Sequence, residues 1–363
     1  MNKNYYCVIM AGGVGARFWP LSRNSRPKQF IDIMGMGETL IQQTFRRLVT
    51  ICPPENIFVV THLNYREQVL EQLPMIVPDH VLCEPMRRNT APCIAYATYK
   101  IKKLNPDACM VVAPSDHIIL KEEVFTQTLL TALKAAEQNN WLLTLGITPS
   151  RPDTGYGYIQ FDDSNAFPPD NKVRKVKTFT EKPHKELAES FIQSGDFLWN
   201  AGIFIWSLKS IISAFNEHLP EIGNVFDAGT NAYFADAEPE FIEGAYATCK
   251  SISVDYGIME KADNVFVIAA DIGWSDLGTW GSLYENSTKD ENGNVLIGSS
   301  ILQYNTTNSI ITLPGDRIAV IQGLDGYIVV EDNGVLLICK RSDEQNIRKY
   351  VDDVRSRKGE EFV

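Results

Sequence analysis

An apolar run, Tyr5–Ala11, breaks directly into a glycine-rich, basic loop spanning residues 12–30. No other feature limits the fold as much. A short apolar run of this kind reads as a buried strand, and a loop of this composition at its end needs a fold that leaves strand ends open to a ligand. Gly12, Gly13 and Gly15 let backbone N–H groups approach phosphate oxygens closely. Arg17 can fork onto two oxygens, and Lys28 supplies a compact point charge. Pro20 and Pro27 stiffen the stretch that carries them. Residues 17–28 hold four basic side chains and no acidic one, on a chain whose formal charge is −11. Such a local positive island reads as a polyphosphate site, not as a general polyanion surface. The loop is not a P-loop, because no Gly-Lys-Ser/Thr follows, and it lacks the third small residue of a dinucleotide fingerprint.

Short apolar runs alternate with helical patterns over the first two-thirds of the chain. Residues 57–60, 81–83, 110–113, 142–145 and 265–268 read as buried parallel strands. Thr39-Leu40-Ile41-Gln42 has the capping-box pattern, and Thr90-Ala91-Pro92 opens another helix with proline in its first turn. The alternation predicts an α/β, Rossmann-like fold: a mostly parallel open sheet with helices on both faces. The loops at strand carboxyl ends, 12–28, 84–90, 114–117 and 271–277, are then the ones to search. A polar cluster at 286–294 leads into short β-rich runs separated by glycine, asparagine and aspartate. It predicts a small C-terminal β domain, a β-helix-like fragment, closed by a charged helix over 344–357. The predicted domains are 1–285 for the α/β part and 286–363 for the β-rich segment. Seven scattered cysteines without a Cys-x-x-Cys pair, and five histidines that do not cluster with them, read as reduced thiols in a cytoplasmic protein without a zinc site. No apolar run approaches the roughly 18 residues of a membrane span, and the acidic balance argues against a nucleic-acid partner.

Other motifs are ambiguous when taken singly. Asp116, in Pro114-Ser115-Asp116-His117, suits a helix cap or a hard cation. The stretch 84–90 mixes acidic, basic and amide groups, as an ordinary helix start does. Gly155-Tyr156-Gly157-Tyr158 suits a turn, Glu181-Lys182 a surface ion pair and Asn200 a turn residue.

In order along the chain, residues 12–22, 26–30, 84–92, 114–117, 154–159, 179–183, 199–202, 253–257 and 273–278 resemble the signature of sugar-1-phosphate nucleotidylyltransferases. Phe18-Trp19-Pro20-Leu21-Ser22 and Pro27-Lys28-Gln29-Phe30 are most similar to the mannose-1-phosphate guanylyltransferase branch, in its short, monofunctional form. The resemblance implies transfer of GMP from GTP to α-D-mannose 1-phosphate, with Mg²⁺ as cofactor and a homodimer as the assembly. It implies that Ala11, Gly12, Gly13, Gly15, Arg17, Lys28, Glu84, Asn89, Thr90 and Asp116 bind the nucleotide. Arg17, Lys28 and Asp116 would carry catalysis, with Asp116 and Asp276 holding the metal. Gly157, Glu181 and Asn200 would bind the sugar hydroxyls, and Lys182 the sugar phosphate. Two alternatives stay open: a related enzyme for another nucleotide or hexose 1-phosphate, and a non-catalytic regulatory homologue. Three geometric expectations follow. Arg17 and Lys28 should be mobile cations on an exposed loop. Glu181 and Lys182 should point to opposite faces; if both line one pocket, either the chain bends at Pro183 or Glu181 acts partly from the rim. The C-terminal β runs are too short for a large core and should dock on the catalytic part or on a second subunit.

Overall fold

The computed structural model describes every residue except Met1, Val14 and residues 168–172, and describes the backbone alone at Ala16 and residues 163–167. Val14 of the glycine loop therefore lies outside the described residues. In chain order the elements are β1 (Tyr5–Ala11), α1 (Leu40–Leu48), β2 (Ile57–His62), α2 (Arg66–Gln72), β3 (Val81–Glu84), α3 (Thr90–Leu104), β4 (Cys109–Pro114), β5 (Ile118–Ile119), α4 (Glu122–Gln138) and β6 (Leu142–Ile147). Next come β7 (Gly157–Phe167), β8 (Val173–Glu181), α5 (Lys185–Ser194), β9 (Phe197–Ser207), α6 (Leu208–His218), α7 (Pro220–Asp227), α8 (Glu238–Thr248), β10 (Val265–Ala269), β11 (Trp274–Ser275) and α9 (Trp280–Asn286). The chain ends with β12 (Val295–Ile297), β13 (Ile301–Tyr304), β14 (Ile310–Thr312), β15 (Ala319–Gln322), β16 (Tyr327–Asp332), β17 (Val335–Lys340) and α10 (Ile347–Lys358). Two compact units share these elements: Met1–Gly12, Phe45–Ser115 and Ile119–Trp274 form one, and Gly13–Thr44, Asp116–Ile118 and Ser275–Val363 the other. No single boundary near residue 285 separates them, because residues 13–44 fold with the C-terminal segment.

The first unit is built on a nine-stranded sheet of order β3-β2-β1-β4-β9-β6-β10-β8-β7. All five strand runs read from the sequence are present. β1 pairs in parallel with β2 and β4, β2 with β3, and β6 with β10. β9 runs antiparallel to β4, β6 and β7, and β8 antiparallel to β10 and β7. The sheet is thus mixed, not mostly parallel. The five runs read from the sequence do run parallel to one another; the antiparallel pairings come from β7, β8 and β9, which were not among the runs read as strands. Helix α3 starts at Thr90 as expected, and its residues 91–101 are all buried against this sheet's core. Among the described residues no helix is long and apolar enough to cross a membrane.

In the second unit β12, β14 and β16 pair in parallel, and β13 pairs in parallel with β15 in a separate sheet. Successive strands therefore alternate between two sheets until β17 turns back antiparallel on β16. Strand β13 was not among the runs read from sequence. Its alternating exposure, with Leu302 and Tyr304 outward, leaves no continuous apolar run. The terminal helix begins at Ile347, after a 3₁₀ turn over Arg341–Asn346 that takes up the predicted start. Phe18, Trp19 and Ile31 of the basic loop share one core with Trp280, Ile310, Ile328 and Ile347. Burial of each such side chain is worth about 1.5–3 kcal/mol. Polar ties reinforce it: Trp19 Nε1 donates to the Phe362 carbonyl at 2.7 Å, and Arg23 Nη2 to the Asp332 carbonyl at 2.6 Å. The C-terminal runs thus dock on the glycine-rich loop.

Candidate active site

In the second unit the basic loop folds into two short 3₁₀ turns, Ala16–Phe18 and Lys28–Phe30. Gly15 lies between strand and turn with φ +71°, and a Cβ on it would stand 2.5 Å from Lys28 Cβ. Both conformation and space require glycine there. Gly13 is exposed with no atom near its Cβ position, so its backbone is open to a ligand. Lys28 is buried, 4% exposed, and its ammonium is fully engaged. Nζ lies 2.9 Å from Asp116 Oδ2 and donates to the carbonyls of Asp276 at 2.9 Å and Leu277 at 3.0 Å. That uses all three of its hydrogens. Lys28 is therefore not the mobile cation expected from the sequence; the acceptors that hold it come from a distant stretch of chain. Arg17 matches the expectation in exposure, and its guanidinium reaches the Gly278 carbonyl at 3.5 Å.

Asp116 and Asp276 meet around that one ammonium, Asp116 through its carboxylate and Asp276 through its carbonyl. Burial alone would push the Asp116 carboxyl up, but Lys28 and His117 outweigh it and hold the group below its usual value. The Asp276 carboxylate accepts from the Gly278 N–H at 3.0 Å. Among the described residues no three or more His, Cys, Asp or Glu side chains form a group that would cage a metal ion.

The first unit gathers a second set. Glu181 ends β8, and Lys182 adopts φ +48°. This left-handed residue supplies the bend one position earlier than Pro183 and brings neighbouring side chains to the same side. Lys182 Nζ lies 2.9 Å from Glu181 Oε1, and this bond, against the effect of burial, raises the lysine above its ordinary value. Gly157 stands opposite Glu181 in the β7–β8 register, and a Cβ there would collide with Glu181 Oε2. Glycine clears room for the carboxylate. Asn200, on β9, accepts from Thr144 Oγ1 at 2.9 Å and from the Gly202 N–H at 3.2 Å, and donates to Asp255 Oδ1 at 2.9 Å. Asp255 opens a π-helix, Asp255–Met259. Burial, then the charge of Glu181, pushes its carboxyl up to about 6, with Asn200 and Lys182 partly offsetting them. The sequence reading quoted residues 253–257 but gave Asp255 no role; the available signal was an acid inside a matched motif.

Glu84 closes β3 and accepts from the Tyr246 hydroxyl at 2.9 Å. Burial raises its carboxyl to about 7, although Tyr246 and Arg87 pull it down. Its Oε2 lies 3.5 Å from the Cβ position of Gly12, so the strand-end carboxylate and the start of the glycine loop adjoin. Ala11 is buried at the end of β1, its carbonyl accepting from Thr61 Oγ1 at 2.9 Å. Asn89, with φ +62°, donates to Ser251 Oγ at 2.8 Å, and Thr90 Oγ1 accepts from the Val254 N–H at 2.8 Å. Both side chains tie the start of α3 to residues 251–254.

The nucleotidyl transferase family matches residues 6–293, and the chain belongs to that family. Within it the chain is 35% identical over 364 residues to a mannose-1-phosphate guanylyltransferase of Klebsiella pneumoniae, covering 98% of this chain and 75% of that protein. The mannose-1-phosphate guanylyltransferase of Escherichia coli strain K12 is 34% identical over 359 residues, covering 97% and 73%. Alginate biosynthesis protein AlgA of Pseudomonas syringae pv. tomato is 35% identical over 347 residues, covering 95% and 70%. Among solved structures, a mannose-1-phosphate geranyltransferase from Thermus thermophilus superposes with TM-score 0.86 at 29% identity, covering 97% of this chain and 99% of that one. The shared architecture is the α/β nucleotidyltransferase fold with mixed sheets and helices.

Proposed function

We propose that this enzyme transfers GMP from GTP to α-D-mannose 1-phosphate, giving GDP-mannose and pyrophosphate. The observation that carries the substrate assignment is the 35% identity, across 98% of the chain, to a mannose-1-phosphate guanylyltransferase. An oxygen of the sugar phosphate attacks the α-phosphorus of GTP in line, and the bond to the β-phosphate breaks. The attacking oxygen is already anionic near neutrality, so catalysis is positioning plus charge neutralisation, without a general base. Arg17, exposed and loosely held, grips the triphosphate and the departing pyrophosphate, while the backbone of Gly12, Gly13 and Gly15 approaches the phosphates. Lys28 acts chiefly by fixing Asp116, because a phosphate would have to displace one of its present acceptors. Glu84 beside Gly12 accepts from the guanine edge, with Asn89 and Thr90 shaping the wall behind it. Lys182 neutralises the sugar phosphate, and Glu181 with Asn200 and the backbone of Gly157 addresses the hydroxyls.

Nucleotidyltransferases of this family generally use a divalent metal. The residues that would hold Mg²⁺ are Asp116 and Asp276, which approach the same Lys28 ammonium, Asp116 through its carboxylate and Asp276 through its backbone carbonyl. Mg²⁺ prefers one or two carboxylates completed by phosphate oxygens and water. When bound, it supplies charge neutralisation at phosphate oxygens.

Every nominated residue precedes 286, which supports 1–285 as the catalytic portion and 286–363 as an accessory segment. Strand alternation between two sheets supports reading that segment as a β-helix-like fragment. Its β13/β15 sheet exposes Leu302, Tyr304 and Val320, with Ile318 exposed just before β15, which supports a homodimer through this face. Seven free cysteines support a reducing, cytoplasmic setting. The deciding assay is pyrophosphate release across GTP, dTTP, UTP and ATP, each with mannose and glucose 1-phosphates, with and without chelator. Preference for any pair other than GTP with mannose 1-phosphate would refute the assignment.

A further inference from the structure

The acceptor cluster of the first unit holds more hydrogen-bonding capacity than the proposed roles use. Asn200 cannot read sugar hydroxyls with its carbonyl, since that oxygen already accepts from Thr144 and Gly202. One of its two amide hydrogens is engaged by Asp255. Glu181 Oε1 is held by Lys182. Sugar hydroxyls are hydrogen-bond donors that need acceptors, and ionised carboxylates are the strongest available.

Asp255 meets that need. Asn200 is the side chain, among the described residues, that hydrogen-bonds its carboxylate, and it takes Oδ1. The backbone departs from regular helix at this residue, where a π-helix begins, and such segments are frequent at functional sites. Holding Asp255 within electrostatic reach of Glu181, with Lys182 as counter-charge, disfavours its ionised form in the free protein. A ligand that donates hydrogen bonds to both carboxylates relieves that cost.

We propose that Asp255 is a specificity-determining residue of the acceptor site, whose Oδ2 accepts the hydrogen of one sugar hydroxyl while Glu181 accepts that of a neighbouring one. The role rests on the hexose 1-phosphate reading given above. It extends the acceptor set to a residue that touches the sugar rather than merely steadying Asn200.

The test is a cycle between protein and substrate. Asp255→Asn keeps the size of the side chain and an oxygen for Asn200, but replaces the second oxygen with a donor. The KM for mannose 1-phosphate should rise about 10–100-fold, the factor expected for one hydrogen bond to a charged group, while the KM for GTP stays unchanged. Wild-type enzyme is then assayed against monodeoxy mannose 1-phosphates. One deoxy sugar should carry a similar penalty with wild type and none beyond the parent sugar with the variant. Asp255→Ser carries the same cycle if the Asn variant melts below assay temperature. An equal loss on every sugar, or a matching rise in the KM for GTP, overturns the proposal and leaves Asp255 structural. Failure of wild-type enzyme on every hexose 1-phosphate is a different result, and removes the functional reading on which the proposal stands.

Discussion

Replacing Lys28 by methionine should cost stability as well as turnover, which distinguishes it from an ordinary phosphate-binding lysine. The ammonium is 4% exposed, pairs with Asp116 at 2.9 Å and donates to two backbone carbonyls. Methionine fills the volume but offers none of these contacts. Breaking one partner of a buried pair costs about 3–5 kcal/mol. The Asp116 side chain keeps 30% of its surface in water, which places this case near the lower end, about 3 kcal/mol. At about 1.3 °C per kcal/mol for a chain of 363 residues unfolding as a whole, the melting temperature should fall about 4 °C at pH 7.5. The deficit should depend on pH with a definite sign. In the wild type Asp116 sits below its ordinary value, so its contribution is present above the unfolded carboxyl value and is lost as pH falls through the folded one. Without Lys28, burial raises the carboxyl, the acid takes up a proton, and the gap between variant and wild type narrows toward pH 4. Scanning calorimetry at several pH values, beside the pyrophosphate assay, measures both effects. A double variant, Lys28→Met with Asp116→Asn, removes both partners and should recover most of the melting temperature with no recovery of activity. If Lys28→Met melts with the wild type, or the double variant is no more stable than the single one, the reasoning fails.

Arg17→Ala should lower turnover about 10²–10³-fold, the scale for losing one charged transition-state contact, and leave the melting temperature unchanged because the side chain is exposed; a thermal shift comparable to that of Lys28→Met would contradict its assignment. Glu84 is buried with its folded value raised to about 7, so its favourable term is present below the unfolded value and lost as pH rises through 7. Glu84→Gln should therefore match the wild type in melts at pH 5 and exceed it at pH 8 by up to about 3 kcal/mol, whereas a constant offset at all pH values would remove the carboxyl from the explanation. Truncation after residue 290 should yield an aggregating, inactive chain, because it strips Phe18 and Trp19 of Ile310, Ile328 and Ile347; a soluble, active truncation would show that the loop needs no such support.

What could be read from sequence was whatever chemistry lies within a few residues. The glycine loop, its basic charge and the starts of α1 and α3 were legible because caps, turns and cation density are local. At α1 the Thr39 N–H indeed donates to Gln42 Oε1 at 2.9 Å. Strand β9 was not read at all, because Asn200-Ala201-Gly202 in its middle suits a turn and interrupts the apolar run. The Glu181–Lys182 pair was half legible. Alternation along a strand correctly required a bend if both side chains were to share a site, but a lysine at φ +48° is not something composition announces. Burial of Lys28 was hidden for another reason: its acceptors at Asp276 and Leu277 are set by tertiary structure alone. Asp255 was visible as a motif residue, and its link to Asn200 became visible only when β9 and the π-helix were placed together.

The same contrast explains why a loop that handles phosphate carries Phe18, Trp19 and Ile31. Glycine-rich backbone is flexible, and charge neutralisation works only when the donors are already in place. The apolar residues convert part of that flexibility into burial, sharing a core with β14, β16 and α10. Trp19 and Arg23 add hydrogen bonds to the carbonyls of Phe362 and Asp332, at the far end of the sequence. Lys28 then closes the arrangement from within by joining Asp116 to the Asp276–Leu277 backbone. Arg17 alone stays exposed among the loop's two cations named from the sequence, which suits the proposed role of following a substrate whose charge moves from triphosphate to pyrophosphate. If the loop handles phosphate as proposed, the C-terminal β segment is accessory to catalysis only in the sense that it contributes no site residue: its core keeps that loop organised before the substrate arrives.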